Sequence, residues 1–135
     1  MTVVSGANLL QLRQALLDMF GSELGTYTLP DGSTRPALYI VGSSQVRPDW
    51  RVSGIECVLL NPPLLQHLGG VGTLKANRVW TLQFRCYDPT KDLGGVQLIA
   101  YRAWPTATPR RQPQTDTLYE QLTYELFDAV LITPL

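Results

Sequence analysis

Between Lys75 and Asp88 the chain alternates with a period of two. Trp80, Leu82, Phe84 and Cys86 fall on one side of an extended backbone, and Val79, Thr81, Gln83, Arg85 and Tyr87 on the other. The pattern predicts a strand with a dry face and a wet face, filled with the aromatic and β-branched residues that suit a pleated surface. Asp88-Pro89 ends it by removing a backbone donor. Leu9, Leu12, Leu16 and Met19 or Phe20 recur instead at helical spacing. Leu10 and Leu17 widen that stripe, and Gln11, Arg13, Gln14 and Asp18 lie mostly opposite. A helix is therefore predicted over 6–20, capped by Ser5 or Asn8 and stopped by a left-handed Gly21.

Two β-rich runs, 25–29 and 34–41, flank Pro30-Asp31-Gly32-Ser33, in which Pro presets the first turn dihedral and Gly takes the positive one. A hairpin is expected, with Pro36 near the start of its second strand or on a sheet edge. Residues 42–49 are polar and read as a loop. Over 50–60, Ile55, Cys57 and Leu59 alternate with Glu56, Val58 and Leu60, so the run is apolar on nearly both faces and belongs at the centre of a sheet. Asn61-Pro62-Pro63 halts it. The connector over 64–77 holds Gly69-Gly70-Val71-Gly72 and the single histidine, His67, and is too long for a tight turn, so a projecting hairpin arm or a long loop is expected.

Asp88 can cap a second helix with Pro89 at its first position, and Leu93, Val96, Ile99, Ala100 and Ala103 carry the period to 104. Gly94 and Gly95 within it cost about 1 kcal/mol each against alanine. Residues 105–115, with three prolines, form an extended surface segment. In 116–135, Leu118, Leu122, Leu126 and Ala129 suit a helix, while Leu122, Tyr124, Leu126, Val130 and Ile132 suit a strand. Thr123-Tyr124 and Val130-Leu131-Ile132-Thr133 favour the strand. The expected fold is α+β: a mostly antiparallel sheet with two helices packed on one face and a projecting β-hairpin or loop, in one domain over 1–135.

Composition changes this picture little. With 135 residues the chain can bury a core without metal or disulfide staples, and 44% apolar with 16% charged residues leaves much neutral surface. Eleven basic and eleven acidic residues cancel, so no bulk attraction to nucleic acid or anionic membrane is expected, and self-association is less opposed. Cys57 and Cys86 sit in apolar strand-like runs and read as buried free thiols, with a cross-strand disulfide as the alternative. No apolar run approaches the roughly 18 residues that span a membrane, and no basic segment followed by an apolar stretch opens the sequence, so the protein is expected in the cytoplasm of the cell that makes it.

Candidate chemistry is sparse. His67 stands beside glycines with no Ser or Cys nucleophile marked by a local motif, and it reads as a solvated loop residue. The glycines at 69, 70 and 72 lack the Lys-Ser/Thr pair and the strand-to-helix transition of a phosphate cradle. Glu120 and Glu125 are five apart and face opposite ways on a strand. Glu56, a carboxylate in an apolar strand, is read as pointing to solvent or pairing across strands with Arg85 or Arg78. Arg102, Arg110 and Arg111 form a basic cluster too short for a nucleic-acid groove, even with Tyr87, Tyr101 and Trp104 as stacking surfaces. No enzyme, metal or cofactor is expected.

The order helix, Gly25-Thr26-Tyr27-Thr28-Leu29-Pro30-Asp31-Gly32-Ser33 hairpin, two long strands, Tyr87-Asp88-Pro89-Thr90-Lys91, second helix, proline-rich run and terminal strand resembles the tail-terminator, or tail-completion, proteins of tailed bacteriophages and prophages. The resemblance covers nearly the whole chain and implies a virion structural protein of the neck. It would assemble in the host cytoplasm as a homo-hexameric ring, cap the tail tube, and join the tail to the head-proximal neck or stopper protein. Sheath contact would follow if the tail is contractile, and DNA would pass through without sequence-specific binding. Partner contacts are expected from the connector (Leu64, Leu65, His67), the wet face (Thr81, Gln83, Arg85) and the proline-rich segment (Arg110, Arg111). The competing readings are another head-tail adaptor or baseplate protein, and a ligand-binding or enzyme subunit with its site between protomers.

Overall fold

A computed structural model describes residues 9–40, 51–60, 79–112 and 120–127. The chain runs α1 (Leu9–Phe20), β1 (Thr26–Thr28), β2 (Thr34–Pro36), β3 (Leu38–Ile40), β4 (Arg51–Ser53), β5 (Ile55–Leu60), β6 (Val79–Cys86), α2 (Gly94–Ala103), β7 (Arg110–Gln112) and β8 (Glu120–Phe127). The strands form a small sheet in the order β2-β1-β4 and a large one in the order β3-β5-β6-β8-β7. Every pairing is antiparallel except β3 with β5. With two helices beside them, the fold is α+β.

β6 organises the large sheet as its alternation predicts. Trp80, Leu82, Phe84 and Cys86 are buried, and the residues between them are partly exposed. Ile55, Cys57 and Leu59 of β5 and Leu122, Tyr124 and Leu126 of β8 lie in register on the same face. Leu12, Leu16 and Phe20 of α1 and Val96, Ala100 and Ala103 of α2 close over it, with Leu93 and Trp104 at the ends of α2. Phe20 stacks tilted on Phe84 at 4.7 Å and on Trp104 at 5.9 Å, and Tyr124 meets Phe84 edge-on at 6.3 Å. Each such side chain contributes about 1.5–3 kcal/mol through burial, so the dry face of β6 is where most of the fold's stability resides.

The Pro30-Asp31-Gly32-Ser33 turn forms as expected, with Gly32 at φ +89° and Asp31 Oδ1 accepting from the Ser33 amide and hydroxyl at 2.9 and 2.6 Å. Pro36 ends β2, an edge strand, where its missing donor costs nothing. The stretches 34–40 and 51–60 each serve two sheets. The second breaks at Gly54, whose φ of +83° turns β4 of the small sheet into β5 of the large one. Backbone bonds cross this corner: Gly25 N–H to Ile55 O at 2.8 Å, Ala37 N–H to Gly25 O at 3.0 Å and Cys57 N–H to Ala37 O at 2.8 Å. The two sheets therefore behave as one folded surface.

Three local expectations change. Gly21 does not adopt a left-handed conformation, and its amide continues the helical pattern by donating to Leu17 O at 2.9 Å. α2 starts at Gly94, not Asp88. Asp88 instead closes a tight turn, accepting from the Thr90 amide and hydroxyl at 2.9 and 2.7 Å, and Asp92 Oδ1 accepts from the Gly94 amide at 2.8 Å. The two glycines thus open the helix, and a Cβ on Gly95 would strike the Glu23 carboxylate, an anion held at the positive end of α2. Within the proline-rich run, 110–112 is a strand, β7, which pairs with β8 while its own side chains stay exposed. The end of α1 at Phe20, the central position of β5 and the strand at β8 agree with the sequence. The connector over 64–77 and the segments 41–50, 113–119 and 128–135 lie outside the described residues.

Candidate functional site

The face of the large sheet turned away from the helices carries the polar side chains. Register places Glu56 opposite Arg85, Val58 opposite Gln83 and Leu60 opposite Thr81; on the other side Gln121 meets Arg85, Thr123 meets Gln83 and Glu125 meets Thr81. Three of the expected contact residues, Thr81, Gln83 and Arg85, therefore do share one surface. All three are half-buried, and Arg85 is engaged within the subunit: its Nη2 donates to Gln83 Oε1 at 2.7 Å.

Glu56 is the centre of this face. Its side chain is fully buried, and its carboxylate accepts hydrogen bonds from the Tyr27 hydroxyl and, at 3.2 Å, from the Tyr87 hydroxyl, with the Arg85 guanidinium 3.8 Å away. The cross-strand pairing with Arg85 follows from the strand pattern; solvent exposure of the carboxylate does not hold. Tyr27 and Tyr87 are the residues that reading misses, because they lie 29 and 31 positions from Glu56 and only the β1-to-β5 corner brings Tyr27 under it. Burial raises the Tyr87 hydroxyl above its ordinary value, and the neighbouring Glu56 charge pushes it the same way. A carboxylate held by two hydroxyls and a guanidinium is a satisfied structural anion. Nearby, Arg85 Nε and Thr123 Oγ1 are buried and have no hydrogen-bond partner among the described residues.

Arg110 and Arg111 do not form a patch. As neighbours on β7 they point to opposite faces. Arg110 reaches Glu125 at 3.4 Å on the polar face, largely in solvent. Arg111 turns to the helix side, pairs with Glu120 and donates to Gln97 Oε1 at 2.6 Å, while Glu120 Oε1 also accepts from the Leu93 amide at 3.1 Å. Arg111 thus ties β7 and β8 to α2. Leu64, Leu65 and His67 lie outside the described residues. Cys57 and Cys86 are free and buried, and Cys86 Sγ lies 3.4 Å from the Asp88 and Lys91 carbonyls. Among the described residues no group of three His, Cys, Asp or Glu side chains could hold a metal ion, and no helix is long and apolar enough to cross a membrane.

Searches of protein-family profiles, of curated proteins and of solved structures give no match to this chain.

Proposed function

We propose that this chain is a structural subunit of a bacteriophage neck, similar in role to tail terminators, acting by assembly and not by catalysis. The observation that carries this reading is the element order. α1, the β1–β2 hairpin, the long strands β5 and β6, the 87–91 turn, α2 and the late strand β8 follow one another in the order of the family resemblance. In this reading six copies form a ring in the virion that caps the tail tube and meets the head-proximal stopper protein. DNA passes through without being read. A sheath contact belongs to it if the tail is contractile.

Native mass spectrometry of the purified chain, alone and after addition to isolated tail tubes, tests this reading. A hexamer is expected. A dodecamer would favour a portal-side adaptor, and a chain that stays monomeric and leaves tubes uncapped would overturn the proposal.

A further inference from the structure

Assembly requires a surface, and the described edges of the sheets are poorly suited to strand addition. β2 ends in Pro36, which has no donor; β4 is three residues long and begins with Arg51; the Leu38 carbonyl on edge strand β3 accepts from Arg13 Nη1 at 3.2 Å; and β7 is three residues long with two arginines. Short, charged or covered edges resist pairing with another chain. The helix layer is different. Of the four large apolar side chains exposed among the described residues, Leu10, Leu98 and Tyr101 stand on the helices, at 73%, 50% and 64% exposure.

These residues belong to two stripes with complementary charge. Leu10, Gln14 and Asp18 are four apart along the exposed side of α1, and Asp18 is the one charge in the row; Gln14 Nε2 donates to its carboxylate at 2.8 Å. Gly94, Leu98 and Arg102 repeat the spacing along the exposed side of α2, with Tyr101 beside them, and Arg102 is the one charge in that helix. In both rows the end residues are eight positions apart, about 12 Å along the helix.

We propose that the α1 row of one subunit packs along the α2 row of the next copy of this chain. Leu10 seats over Gly94, where a missing side chain leaves room, Gln14 lies beside Leu98 and Tyr101, and Asp18 meets Arg102. Two different patches meeting head to tail make a heterologous contact, the kind that closes into a ring. A net charge of zero adds no general repulsion between copies. The inference rests on the ring reading and names the contact that would build it.

Charge reversal tests it. Asp18→Arg and Arg102→Asp should each weaken assembly at least about tenfold, since like charges then face each other. The double variant should recover most of the loss, and Leu98→Asp should weaken assembly without being rescued. Assembly is read by native mass spectrometry and analytical ultracentrifugation, with circular dichroism confirming that each variant is folded. A wild-type ring that every variant leaves intact, or a double variant weaker than both singles, overturns this contact and leaves the ring reading standing. A wild-type chain that is monomeric both alone and on tail tubes overturns both.

Discussion

Glu56 shows how a single residue sets a local requirement. A fully buried carboxylate is tolerable only while its oxygens are satisfied, and Tyr27, Tyr87 and Arg85 satisfy them from two sheets. Tyr27→Phe removes the hydroxyl that donates to Glu56 and keeps the ring. It should cost about 1–3 kcal/mol, read as a lower urea midpoint with an unchanged slope. Cys57 gives a second consequence at this scale. Burial, reinforced by the Glu56 charge, pushes its thiol well above the ordinary 9.0, and burial raises Tyr87 and Tyr124 above 10.0. The folded chain then keeps protons that the unfolded chain releases, so this stability is full below pH 9.0 and falls as pH rises beyond it. Urea titrations in steps from about pH 8 to 11 should show a declining unfolding free energy, and Cys57→Ala should flatten the first part of the decline even if it lowers stability throughout.

At the scale of elements, what could be read from the sequence followed from how each element earns its place. β6 and α1 are legible because each buries one face and the period records it. β8 buries one face too, through Leu122, Tyr124 and Leu126, but its leucine spacing also suits a helix, so the strand is legible there only through the β-favouring Thr123-Tyr124. β7 is not, because it is held by backbone pairing and by Arg111, and Arg110, Arg111 and Gln112 bury nothing that would leave a pattern. The polar face was half legible: Glu56 and Arg85 are cross-strand neighbours, whereas Tyr27 arrives through a corner made by one glycine. That corner is the element most exposed to substitution. Gly54 holds φ +83° with its own Cβ position 2.9 Å from Gly25 Cα, and a Cβ on Gly25 would enter the Ser53 carbonyl. Gly25→Ala should therefore destabilise by about 1–3 kcal/mol or more, as overpacking does. Thermal unfolding would show it, and a melting temperature equal to wild type would mean that the corner yields.

For the whole molecule, the balance of charge bears on whether the proposed ring only surrounds DNA or also binds it. Eleven basic and eleven acidic residues leave no net charge, and three of the arginines placed by the structure are committed locally: Arg85 to Gln83 and Glu56, Arg110 to Glu125, Arg111 to Glu120 and Gln97. Affinity for duplex DNA comes mainly from unpaired cations that displace counterions, and it falls steeply with salt. A subunit with no net charge and three arginines already paired has little of that drive, and six copies together still carry no net charge. Fluorescence anisotropy with a labelled duplex should thus show no binding tighter than about 0.1 mM at low salt, for monomer and assembled ring alike. Tight, salt-sensitive binding would instead mean that the proposed ring grips DNA as well as surrounding it.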